Sequence, residues 1–268
     1  MHKSSLFTAI VVLIAPAIPT PAHAQVLAPA PGGVSFGHHH LMLSDPAAHR
    51  TLWVDVLGAE VGHAGPLELI EIPGVTLILG QGKALTGGSR GSTVNHLGFA
   101  VQDYAATKAK LVAAGVEIAT DMPDNRGLIA NFPDDVRIEF SEDTSLTTPI
   151  AHFHVHIETT DPEGLRDWYV RTFGATASSR RGMPSAVVPG GRVDFLKADA
   201  ARAATRGRSL DHIGFEVNGL QAFVARLEAS GVTMESGYRE IEAIGLKIAF
   251  LVDPAGTRIE LTEGLAGK

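Results

Sequence analysis

Four histidines, His38, His96, His154 and His212, stand 58 residues apart, each inside a stretch of the same pattern. The stretches read GHHHLML, VNHLGFAV, FHVHIE and LDHIGFEV. In the last of them Ile213, Phe215 and Val217 alternate with His212, Gly214 and Glu216, the period-two signature of a half-buried strand. His212 therefore projects from the face opposite the packed one, beside a residue without a side chain. Self-similarity at a fixed period marks duplicated structural units, so the chain must fold as four copies of one module.

Each copy continues in the same way. Residues 45–58 predict a helix opened by Asp45 as N-cap with Pro46 in its first turn and closed by Gly58. Two short strands follow around the turn at Pro73-Gly74. The third unit repeats the first without a gap at an offset of 116, so that Asp45, Pro46, Gly58 and Pro73 fall on Asp161, Pro162, Gly174 and Pro189. The fourth repeats the second, Gly98, Phe99, Leu111 and Gly115 falling on Gly214, Phe215, Leu227 and Gly231. Each quarter is a strand, a helix and about three more strands. Residues 25–37, rich in Pro, Gly and Ala, predict a flexible lead-in. The expected domains are 38–140 (modules 38–79 and 94–140) and 150–265 (modules 150–198 and 209–265), joined by a polar linker over 141–149. Arg202, Arg206 and Arg208 fall in a stretch read as a solvated linker.

Residues 1–24 carry Lys3, an apolar run from Leu6 to Ile18 and the small-residue pattern Ala22-His23-Ala24. They predict a secretory signal cleaved before Gln25, and hence a secreted or periplasmic protein without a membrane anchor after cleavage. The net charge of −7 becomes −8 without that segment, whose one charged residue is Lys3, and argues against a nucleic-acid partner. Cysteine is absent, which excludes thiolate nucleophiles, disulfides and thiolate metal sites. A metal would have to be held by His, Asp and Glu.

The final strands of the even units, VRIEF and TRIEL, turn Ile138 and Phe140, or Ile259 and Leu261, to one face and Glu139 or Glu260 to the other. A carboxylate among packed residues is costly unless it has a partner. Two first-strand histidines and one such glutamate make a 2-His-1-carboxylate set, which binds a divalent metal facially and leaves positions open. With sequential pairing of the units, the sets are His38, His96 and Glu139 in the N-terminal domain and His154, His212 and Glu260 in the C-terminal one. Such ligands suit Fe, Mn, Zn, Co or Ni alike.

These first strands (HHHL, HLGF, HVHI, HIGF), the helix closures LWVDVLG and WYVRTFG and the ending DPAGTRIEL make the chain resemble the vicinal oxygen chelate superfamily, the glyoxalase, bleomycin-resistance and extradiol-dioxygenase group. The resemblance implies an α+β fold of four tandem βαβββ modules paired into two cupped, glyoxalase-like sheets. It implies a metal in each hollow, held by first-strand histidines and last-strand carboxylates. The fourth ligand position of the first unit is Ile78, which cannot ligate, and that of the third is Asp194. Extradiol members carry a histidine shortly before the last strands and a tyrosine ahead of an Asp-Pro. Here no histidine follows His212, and Phe250 precedes Asp253-Pro254.

His40 and His156, two residues beyond His38 and His154, share the ligand face. A neutral histidine beside a metal can carry protons, so His156 is a catalytic candidate, with Tyr238 and Glu240 on a later strand. His39, His49, His63 and His152 are expected at surfaces or turns. The expected function is divalent-metal-dependent lyase or isomerase chemistry on a small substrate that chelates the ion through adjacent oxygens. The alternatives are Fe(II) extradiol-type dioxygenation and a non-catalytic sequestering module. Four modules complete both cups within one chain, as a monomer or homodimer.

Overall fold

The computed structural model describes residues 26–30 and 32–266; the predicted signal segment, 1–24, lies outside them. Four βαβββ modules follow one another. The first holds β1 (Val34–Leu43), α1 (Pro46–Thr51, continued by a π-helical turn at Leu52–Val56), β2 (Glu60–Ala64), β3 (Leu67–Ile72) and β4 (Val75–Gln81). The second holds β5 (Val94–Val101), α2 (Tyr104–Ala113), β6 (Glu117–Met122), β7 (Gly127–Phe132) and β8 (Val136–Glu142). The third holds β9 (Ile150–Thr159), α3 (Pro162–Phe173), β10 (Thr176–Arg180), β11 (Met183–Val188) and β12 (Gly191–Lys197). The fourth holds β13 (Leu210–Val217), α4 (Leu220–Ala229), β14 (Met234–Ile241), β15 (Leu246–Val252) and β16 (Arg258–Glu263). The helix signals act as read: Asp45 and Asp161 each accept a bond from the backbone N–H three residues on, and Gly174 closes α3 at φ +70°. The expected lead-in is shorter than residues 25–37, because β1 already begins at Val34.

The strands form two eight-stranded mixed sheets, and their pairing corrects the expected domains. One sheet runs β14-β15-β16-β13-β1-β4-β3-β2 and the other β10-β11-β12-β9-β5-β8-β7-β6. Module one thus joins module four, and module two joins module three, instead of 38–140 and 150–265 each closing on itself. The physical reason is that β1 pairs in parallel with β4 on one side and leaves its other edge open. A copy of any first strand satisfies that edge, so the repeat alone does not select the partner. The inner modules, separated only by residues 143–149, pair directly, and the outer two pair around them.

The linkers that cross between the sheets are zipped together. Thr86 N–H donates to Gly207, Ser209 N–H to Gly87 and Thr93 N–H to Ala203, each at 2.9 Å. Arg208 donates to the Gly88 carbonyl and Arg202 pairs with Glu158, so two of the arginines expected to be merely solvated tie these segments together, while Arg206 is exposed and pairs with Glu235. Behind the sheets lies one shared core. Trp53 from module one packs on Phe99 and Phe132 of the module-two sheet, and Phe173 from module three packs on Phe215 of module four. Among the described residues no helix is long and apolar enough to cross a membrane.

His39 and His152 face this core from the two sheets, buried and not at surfaces as expected. The carbonyl of Gly190 accepts from His152 Nδ1 at 2.7 Å, so His152 Nε2 is bare and takes the proton of His39 Nε2 at 3.1 Å. His49 is likewise buried, donating to the Pro133 carbonyl, while His63 is exposed. Burial, and the other histidines beside them, push His39 well down and His152 down to about 4. A depressed histidine gives stability that is complete above the unfolded value near 6.5 and is lost as pH falls toward the folded one. His152 alone then accounts for roughly 3 kcal/mol between those limits. The urea midpoint should fall between pH 7.5 and pH 5.0, and fall less in His152→Phe; an equal drop in both proteins would show that this histidine does not couple stability to pH.

Candidate metal centres

Each cup is assembled at the ladder between two first strands. Antiparallel pairing of β1 with β13 sets His40 opposite His212 and His38 opposite Gly214, while parallel pairing of β13 with β16 sets Gly214 beside Glu260. The other sheet repeats this: His156 faces His96, His154 faces Gly98, and Gly98 lies beside Glu139. The glycines are required by contact. A Cβ at Gly214 would lie 2.2 Å from His38 Cε1, and one at Gly98 2.2 Å from His154 Cε1. The histidine rings lie across the space a side chain would occupy.

In the first cup, formed by modules one and four, Glu260 Oε2 is 2.9 Å from His38 Nε2 and 2.8 Å from His212 Nε2. In the second, Glu139 Oε2 is 2.9 Å from His96 Nε2 and 3.6 Å from His154 Nε2. His156 supplies a further donor to the second group. The residues expected to ligate therefore converge, but in exchanged company. His38 belongs with His212 and Glu260, and His154 with His96 and Glu139, because the modules pair first with fourth and second with third.

The remaining candidates separate by surroundings. Ile78 occupies the fourth position of the first cup as expected, inside an apolar cluster with Leu69, Ile248 and Phe250. Asp194 is buried beside His156, but Ser185 donates to it and Arg180 lies 3.5 Å away, so it stands outside the group of four donors. Tyr238 is not in either hollow: it packs against the shared core and donates to Glu240. His156 sits against His96, ring centroids 4.4 Å apart, and its nitrogens have no hydrogen-bond partner among the described residues.

Residues that the sequence reading passed over hold the rings in place. Asp211 Oδ1 accepts from His212 Nδ1 at 2.7 Å and from Arg258 at 2.8 Å. Asn95 Oδ1 accepts from His96 Nδ1 and from Arg137, each at 2.8 Å, while its amide nitrogen donates to Glu158. The signal was present in both even modules as a polar residue directly before the histidine and an arginine two before the glutamate. These bonds place a proton on Nδ1 of His212 and of His96 and aim the Nε2 of each at a carboxylate.

That arrangement asks for a cation. Burial opposes ionisation of both glutamates, yet the neighbouring histidines hold Glu260 and Glu139 well below the usual carboxylate range. His96 is pushed down by burial first and stays neutral, so a lone pair there faces an anion. In the first cup burial is outweighed by bonds to Asp211 and Glu260, which raise His212 and allow a proton to serve in place of an ion. Both donor sets fit a divalent metal held by imidazole and carboxylate. They differ in access. A cavity of about 380 Å³ over the first cup is walled by His212 and Glu260 themselves, with His40, Met42, Lys83 and Phe250. The cavity of about 460 Å³ at the second is lined by Phe153, Arg180 and Ser141 and reaches none of its four donors. A larger hollow of about 740 Å³, between α1 and the end of α2, contains none of these residues.

Residues 153–250 match the model of the Glyoxalase/Bleomycin resistance protein/Dioxygenase superfamily. No curated protein matches the sequence. Among solved structures, glyoxalase I from Zea mays superposes with a TM-score of 0.67 at 14% identity, covering 86% of this chain and 92% of that one. A protein of Bacillus subtilis subsp. subtilis str. 168 named "putative dioxygenase" gives 0.65 at 14% identity, covering 87% and 86%. At such identities the likeness concerns the fold. The sequence pattern of that superfamily thus lies over residues 153–250, and the paired, cupped sheets of all four modules share the fold of glyoxalase I.

Proposed function

We propose that the cup of modules one and four is the active site of a divalent-metal-dependent lyase or isomerase, exported by the segment 1–24, acting on a small molecule with two adjacent oxygens. The observation that carries this reading is that His212 and Glu260 are both metal donors and walls of a cavity sized for a small ligand. His38, His212 and Glu260 would hold the ion. When bound, it supplies Lewis acidity that stabilises enolate-like charge on the substrate oxygens.

The chain's own residues do the rest. His40 lines the cavity, its ring 4.7 Å from that of His212. Burial, then His212 and His38, push it down to about 3, so at neutral pH it offers an uncharged imidazole to accept a proton from bound substrate. Met42, Leu85 and Phe250 keep the wall apolar, and Phe250 packs edge-on against His212. Arg258 stacks on Phe250 at 4.1 Å while anchored by Asp211 and Glu235, and Lys83 is the further cation lining the cavity.

One observation favours a second reading, Fe(II)-dependent dioxygenation. With Ile78 in the fourth place, the first cup has two histidines and one carboxylate, the set that leaves a metal face open. Oxygen uptake by the Fe(II)-loaded protein with a catechol-type substrate would select that reading over the first.

Metal content per chain, measured on the mature protein purified without chelator, should be one or two equivalents, and His212→Ala or Glu260→Ala should each remove one. Metal-free protein after reconstitution with Fe(II), Mn, Zn, Co and Ni would reject catalysis by a bound ion and favour a sequestering module. Gly214→Ala should displace the His38 ring, remove the same equivalent and cost about 1–3 kcal/mol through overpacking. His40→Gln should leave metal content intact and lower kcat by about 10²–10⁴-fold; an unchanged kcat would remove His40 from the chemistry.

A further inference from the structure

All four first strands carry an irregularity directly before the histidine. Between β1 and β13, Gly37 and Asp211 fall at breaks in register; between β5 and β9 the breaks fall at Asn95 and Phe153. A bulge re-aims a side chain by breaking the strict alternation of faces. The bulge residue consequently lies beside the histidine that follows it. Asp211 and Asn95 reach Nδ1 of His212 and His96, whereas Gly37 and Phe153 have no acceptor to offer. Nδ1 of His38 and of His154 is buried without a hydrogen-bond partner among the described residues.

We infer that Asp211 and Asn95 are positioning residues that give each cup one preset metal ligand and leave its second histidine, His38 or His154, unset. The inference rests on the reading of the cups as metal sites. Asp211 is itself pinned, by the Gly207 N–H at 2.7 Å and by Arg258 at 2.8 Å, so the His212 ring cannot swivel and its Nε2 is aimed into the cup before an ion arrives. His38 is different. Its Nε2 donates to Glu260, and to ligate an ion it must move that proton to Nδ1, where none of the described residues accepts it. The two histidines of one cup, equivalent by sequence, are therefore unequal ligands, and the charge of Asp211 against the neutral amide of Asn95 makes the two cups unequal as well.

Zinc titrated into the metal-free mature protein against a chromogenic chelator, with imidazole tautomers read in the same metal-free samples by multiple-bond ¹⁵N NMR, tests this. Wild-type His212 and His96 should each carry a proton on Nδ1. Asp211→Ala, which removes the acceptor, should mix the His212 tautomers, leave His96 unchanged and weaken one zinc site by about 10–100-fold without moving the other. A global loss of fold would disturb both histidines together and is thereby distinguished. A wild-type His212 without a proton on Nδ1, or Asp211→Ala with both zinc affinities within twofold of wild type, would overturn the inference. The expected tautomers in a chain that takes up no zinc would uphold the positioning role and remove the metal reading of the cups instead.

Discussion

Everything chemical in this protein depends on the antiparallel ladder between two first strands, β1 with β13 and β5 with β9. The ladder sets two histidines from different modules on one face and, through the parallel neighbour, brings a last-strand glutamate beneath them. It also demands the glycines opposite His38 and His154, since a methyl group there would stand within the ring. Buried histidines around a buried carboxylate are expensive to assemble without compensation. The bulge residues and their arginines supply part of it, and a cation in the cup would supply the rest.

Because the outer modules pair around the inner ones, the donors of the first cup are far apart in sequence while those of the second are close. His38 and Glu260 come from the two ends of the described chain, so that cup is complete only when all four modules are in place. Non-local pairing of this kind forms slowly. The zipped linkers and the shared core behind the sheets offset the cost by making the two sheets one packing unit. The two cups have also diverged in content. One keeps an apolar fourth position and a cavity that reaches its donors; the other has an additional histidine, a carboxylate tied to Arg180, and a cavity that stops short.

Much of this was legible in the residues. Period-two alternation and a 58-residue interval predict four strands with histidines on one face, and the helix signals at Asp45 and Asp161 behave as read. His38, His96, Glu139, His154, His212 and Glu260 were recognisable because a ligand on a strand must alternate with packed residues. Asp211 and Asn95 were not, because simple alternation places a residue next to a histidine on the opposite face and only a bulge reverses that. His39 and His152 were assigned to the surface because nothing in the sequence says that two sheets will back onto one another there.

The sequence by itself determined the modules, the donor residues and the face each occupies, since these follow from local periodicity and short-range sterics. Only the tertiary structure decided which modules share a cup. Four near-identical strand edges are interchangeable as far as local chemistry goes, and the choice among them is made by linker length, by the crossing of the linkers and by the common core. That choice moved His38 to Glu260 and His154 to Glu139.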